Sequence, residues 1–148
     1  MQIAIIHYHL NRGGVTQVIA NQLQALATSS QQTRSSGKPL RVVVMHGGRH
    51  EAWPEQQMGN LAGVNVALQT VPELEYDTTP QANPERLAAA LIDALQVAQM
   101  APDDTVVHIH NHALGKNVSL PGAVTQLTRA GFALLLQVHD FAEDFRPD

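Results

Sequence analysis

Five short apolar runs alternate with segments of helical periodicity along the chain. QIAIIHY (Gln2–Tyr8), LRVVVMH (Leu40–His46) and DTVVHIH (Asp104–His110) are apolar on both faces, the pattern of strands buried within a parallel sheet. VNVALQ (Val64–Gln69) and FALLLQVH (Phe132–His139) complete the set of five. Between them, Val15, Val18, Ile19, Leu23 and Leu26 recur at helical spacing and predict a helix over Val15–Ser29. Leu87, Leu91, Leu95 and Ala98 do the same over Asn83–Met100, where Asn83 can cap the helix and Pro84 fits its first turn. A third helix is predicted over Leu120–Ala130.

The intervening segments read as loops. SSQQTRSSGKP (Ser29–Pro39) is polar. Gly47–Gly63 has no clear period and is expected to hold a helical turn at most. VPELEYD (Val71–Asp77) reads as extended, and DFAEDFRPD as an open end. Strand–helix alternation with right-handed crossovers predicts an α/β, doubly wound parallel sheet in the order 3-2-1-4-5. In such a sheet the ligand crevice lies where the loops after strands 1 and 4 diverge. The last strand has no helix after it, so the sheet is expected to be one part of a longer polypeptide.

Composition narrows the class without changing this picture. A chain of 148 residues suits one domain, and one of that size buries roughly 68–70% of its unfolded surface. Net charge is -4, with 15% charged and 44% hydrophobic residues. This is globular composition without a general nucleic-acid footprint. There is no cysteine, which excludes disulfides, zinc thiolates and cysteine nucleophiles. The amino-terminal run lacks a basic flank and reads as a strand rather than a signal peptide. No apolar run approaches the roughly 18–20 residues needed to span a bilayer.

Chemistry concentrates at the carboxyl ends of the predicted strands. HYHLNRGG places Arg12, Gly13 and Gly14 between strand 1 and the first helix. Glycines let a ligand approach the backbone, the helix start offers free N–H groups, and Arg12 can clamp a phosphate. The alternative is a tight turn that needs small residues. The GxGxxG and GxxxxGK[ST] fingerprints are both missing.

HIHNH places His108, His110 and His112 at alternate positions. On a continuing strand they would share a face, which admits a metal site. Polar ligand contacts from His110, Asn111 or His112 are the stronger reading, with a structural role for His108. His139 and Asp140 end strand 5; the imidazole can meet a ligand, whereas Asp140 can instead cap the segment after it. His46 can line the rim but fits turn chemistry better, and Trp53 can anchor a lid but fits a patch over the core better. No GxSxG, HExxH or EF-hand spacing is present.

Taken in order, MQIAIIHYHLNRGGVTQVIANQLQAL, VVHIHNHALG and LLLQVHDF resemble the amino-terminal domain of the GT-B glycosyltransferases, in the large retaining family with glycogen, sucrose and mannosyl transferases. The resemblance covers nearly the whole chain. It implies two Rossmann-like domains around a cleft, with residues 1–148 as the acceptor-side one. It implies a sugar nucleotide as donor substrate, a sugar or lipid-linked acceptor, and neither a separate cofactor nor an essential metal. Gly13 and Gly14 resemble the glycine pair near the donor phosphates or acceptor, with Arg12 beside them. His139 resembles the family histidine at the transferred sugar, and His110 and Asn111 resemble acceptor-side loop residues. The carboxy-terminal signature, E-x(7)-E with a preceding basic residue, is absent. The resemblance thus implies a missing catalytic partner domain, an inactive fragment, and a cytoplasmic location, at most peripheral to the inner membrane face. A non-catalytic binding or regulatory module of the same fold, and a metal-dependent α/β hydrolase using His108–His112, are the alternatives.

Overall fold

A computed structural model describes residues 1–33, 38–79 and 81–140. Five strands form one sheet: β1 (Gln2–Ile6), β2 (Leu40–His46), β3 (Val64–Thr70), β4 (Thr105–His110) and β5 (Ala133–Gln137). Their order is β3-β2-β1-β4-β5 and every pairing is parallel, as the alternation predicts. The helices are α1 (Gly14–Thr33), the short α2 (Glu55–Gly59), α3 (Pro84–Val97) and α4 (Leu120–Arg129).

The sheet is covered differently on its two faces. On one face, α3 and α4 pack over Ala4, Ile6, Val43, Met45, Val107 and Ile109. On the other, Ile19 and Leu23 of α1 and Met58 of α2 cluster with Ile5, Val42 and Val44. Trp53 joins this second core and is the patch expected of it. The α1 side is left open beyond β1. There a groove of about 350 Å³ runs along Ile3, Ile5, Leu26, Val106, His108 and Leu135. Among the described residues β5 pairs with β4 alone, and Leu135, Leu136 and Val138 are exposed.

Several boundaries differ from the sequence reading; β1 ends at Ile6 and not Tyr8, and α3 at Val97 and not Met100. α1 continues through Thr33, so Ser29–Thr33 is helix and not loop; residues 34–37 lie outside the described residues. Glutamine is a fair helix former, and a helix already nucleated extends at little cost. Val71–Asp77 is not extended throughout. Pro72–Leu74 forms a single 3-10 turn, with Pro72 at its start. β5 stops at Gln137, two residues before His139. The segment after Asp140 lies outside the described residues.

α3 begins where its cap predicts: Oδ1 of Asn83 accepts from the Arg86 backbone N–H at 3.0 Å. Gly47 is fixed by close approach. A Cβ there would lie 2.6 Å from the Glu75 nitrogen and 2.9 Å from the Tyr8 carbonyl oxygen. This lets the 72–77 segment press against the end of β1.

Candidate functional site

The carboxyl ends of β1, β4 and β5 converge because these strands are neighbours in register, with Ile6 opposite Ile109 and His110 opposite Gln137. Alternation then sends His108 and His110 to the α1 face and Val107 and Ile109 into the opposite core. His108 and His110 are buried, with ring centroids 4.2 Å apart. β4 ends at His110. Asn111 takes a left-handed φ of 55°, a conformation that asparagine tolerates better than most residues. His112 therefore does not continue the alternation that a longer strand would give it. Among the described residues, no group of three or more His, Cys, Asp or Glu is placed to hold a metal ion.

Asn111 is the hub of this edge. Its N–H donates to the Gln137 carbonyl at 2.8 Å, and its carbonyl accepts from the Tyr8 hydroxyl at 2.7 Å. Its side-chain oxygen accepts from the backbone N–H of His139 at 2.7 Å and of Asp140 at 3.3 Å. Its amide nitrogen donates to the Asp140 carboxylate at 2.9 Å. One residue thus ties β1 to the end of β5. Asp140 is held by Asn111, in a role closer to a cap than to a dyad partner.

His110 Nδ1 lies 2.7 Å from His139 Nε2, with the ring planes within 4° of parallel. The second ring nitrogen of His110, Nε2, is buried without a partner, as is Nδ1 of His7. Burial, reinforced by His108, His139 and His7, pushes the His110 pKa down to about 3. Burial, with His9 as the next cause, takes His7 to about 4. Both rings are therefore neutral at physiological pH. A polar ladder continues below them. Gln137 Oε1 is 2.9 Å from His108 Nε2 and accepts from Gln22 of α1 at 2.8 Å.

Arg12, Gly13 and Gly14 are exposed at the start of α1. No packing explains the glycines: a Cβ at Gly14 meets nothing within 4 Å, and one at Gly13 only the Asn11 oxygen at 3.9 Å. Neither has a left-handed φ. His46 is buried with its Nδ1 accepting from the Gly48 N–H, so its role is turn chemistry.

A second group at this edge escaped the sequence reading. The Tyr76 hydroxyl is 3.0 Å from His9 Nε2. Arg49 stands 5.0 Å from the centre of the Tyr76 ring and is paired with Glu75. The Arg49 hydrogen bond holds the Glu75 carboxyl below its usual range. Beside them a cavity of about 720 Å³ is lined by Glu73, Tyr76, Asp77, Asn83, Arg86 and Ser119. The Gly47 approach, the Tyr8–Tyr76 ring contact and the Tyr76–His9 contact bring this segment to the end of β1, and no local pattern announces them.

No family model matches the chain, and no curated protein or solved structure matches it either. The strand order and direction are those of a Rossmann-like doubly wound sheet, an architecture shared by many α/β enzyme superfamilies. Among the described residues, no helix is long and apolar enough to cross a membrane.

Proposed function

We propose that the chain is the acceptor-side domain of a retaining GT-B glycosyltransferase, moving a sugar from a nucleotide-sugar donor to a sugar or lipid-linked acceptor in the cytoplasm. The observation that carries the reading is the meeting of His110, Asn111 and His139 at one sheet edge, across 29 residues of sequence, at the ends of β4 and β5, the first of which pairs with the strand that leads into Gly13-Gly14. The exposed glycine pair, which packing does not require, supports it.

In this reading the amides at Gly13 and Gly14, with Arg12, meet donor phosphates or the acceptor. His139 meets the transferred sugar, with His110 and Asn111 behind it. The physical task is to stabilise an oxocarbenium-like centre and a departing diphosphate. That needs groups on both walls of a closed cleft, so residues 1–148 alone transfer nothing.

A non-catalytic binding module of the same fold is the second reading. Its support is Asn111, whose amide is engaged within the protein at both ends.

The test is the encoding reading frame and the activity of its product. A frame that continues into a second α/β domain, whose product transfers a sugar with retained configuration, is the expected result. A frame that stops after Asp148, or turnover by the 148 residues alone, would sink the two-domain reading.

A further inference from the structure

The hydrogen bond between His110 and His139 holds one proton, and the surroundings of His110 fix which ring supplies it. A nitrogen-to-nitrogen contact between two imidazole rings needs one N–H and one lone pair. The His110 ring is fully buried, and its Nε2 has no hydrogen-bond partner among the described residues. Were the His110 proton on Nε2, a buried N–H would be left unpaired. Orphaned buried N–H groups are rarer than unpaired acceptors. The alternative leaves only a bare lone pair there and puts the proton on Nδ1, where His139 Nε2 waits at 2.7 Å. The groups around the ring do not offer His110 a second proton. His7 just after β1, His108 on β4 and His139 beyond β5 all disfavour it, and burial disfavours it most.

His139 is held from its backbone as well. The Asn111 side-chain oxygen accepts its N–H at 2.7 Å, which fixes the base of the side chain while His110 fixes the ring.

We propose that His110 is a positioning residue that sets the tautomer of His139, so that His139 accepts at Nε2, carries its proton on Nδ1, and offers Nδ1–H to the ligand as a donor. The ligand that receives this N–H is an oxygen-rich one, such as a sugar hydroxyl or ring oxygen. This last step rests on the transferase reading given above; the tautomer itself does not.

The tautomer is read directly from two-bond proton–nitrogen correlations of the histidine rings in the nitrogen-15-labelled 148-residue chain near pH 7.5. The expected wild-type result is a pyridine-like Nε2 and a pyrrole-like Nδ1 on His139. The His110→Asn variant keeps an N–H close to the position of Nδ1, and His139 should retain this pattern. His110→Phe removes the donor and keeps a ring, and His139 should revert toward Nε2–H, the form a free imidazole side chain prefers. A protonated Nε2 on wild-type His139, or the same His139 spectrum in wild type and a folded His110→Phe, overturns the proposal. If His110→Phe does not fold, the wild-type spectrum together with His110→Asn decides. The transferase reading fails separately, in the reading-frame test, without touching this measurement.

Discussion

His110 and His139 lie 29 residues apart in sequence and meet ring to ring, Nδ1 of one 2.7 Å from Nε2 of the other. Pairing of His110 with Gln137 brings this about, because residue 139 comes two positions later at the same edge.

Within a two-domain enzyme, His139→Ala should lower kcat by about 100-fold, the lower end of what a positioned acid, base or donor contributes. The acceptor KM should change much less, since the contact strengthens in the transition state. Steady-state kinetics on the complete protein check this. An unchanged kcat would remove His139 from the chemistry.

Stability should fall as the solution is made acidic, starting near neutrality. His7 and His110 are buried neutral, with pKa values of about 4 and about 3 against an ordinary 6.5. Above 6.5 both rings are uncharged, folded or unfolded, and contribute no slope. Below it the unfolded chain takes up protons that the folded chain refuses, so stability drops. The slope is at most about 1.4 kcal/mol per pH unit per ring. It levels off as each folded pKa is reached. His9, His108 and His46, all lowered mainly by burial, act in the same direction. Urea unfolding at pH 8, 6.5 and 5 should show a flat segment and then a decline. His110→Phe, if it folds, should show a shallower decline; equal stability at pH 8 and pH 5 would contradict buried neutral imidazoles.

Asn111 should tolerate glycine better than alanine. Both substitutions delete the amide that holds His139 and Asp140, and alanine must in addition adopt a left-handed φ, at a cost of about 1–2 kcal/mol. Urea midpoints for Asn111→Gly and Asn111→Ala give the difference. A more stable alanine variant would mean that the turn had rearranged.

The glycines should separate into two kinds. Gly47→Ala should cost about 1–3 kcal/mol, because the new Cβ collides with backbone at Glu75 and Tyr8. Gly14→Ala should leave stability unchanged or raise it by up to about 1 kcal/mol, since the site is open and helical. The same change should weaken donor or acceptor binding in the complete enzyme. Thermal melts and calorimetric titration with a sugar nucleotide measure the two effects. A destabilised Gly14→Ala would return the glycine pair to ordinary turn chemistry.

The sheet was legible because each strand carries its own signal. Leu40–His46 reads as a two-sided apolar run and is β2 from end to end, and Asn83-Pro84 marks the start of α3. The site was legible as a set of residues and not as an arrangement. His110, Asn111 and His139 stand out as polar groups at strand ends, yet nothing local says that Asn111 would hold His139 by its backbone. That bond depends on β4 and β5 being neighbours. Tyr76 and Arg49 were invisible for a similar reason, since they lie on separate loops that meet where Gly47 approaches the backbone of Glu75 and Tyr8. The end of α1 was misread because Ser and Gln look the same in a loop as in a final helical turn.

Among the described residues, β5 has a hydrogen-bonded neighbour on one side only, and Leu135, Leu136 and Val138 are 52%, 42% and 46% exposed. Deuterium should therefore replace its amide hydrogens sooner than those of β1, which is flanked by two strands. His139 comes two residues after β5, one of the two edge strands of the sheet. Its lifetime in place should then follow the local opening of that edge rather than the free energy of unfolding the whole chain. The frequency with which β5 detaches from β4 becomes a clock for the imidazole.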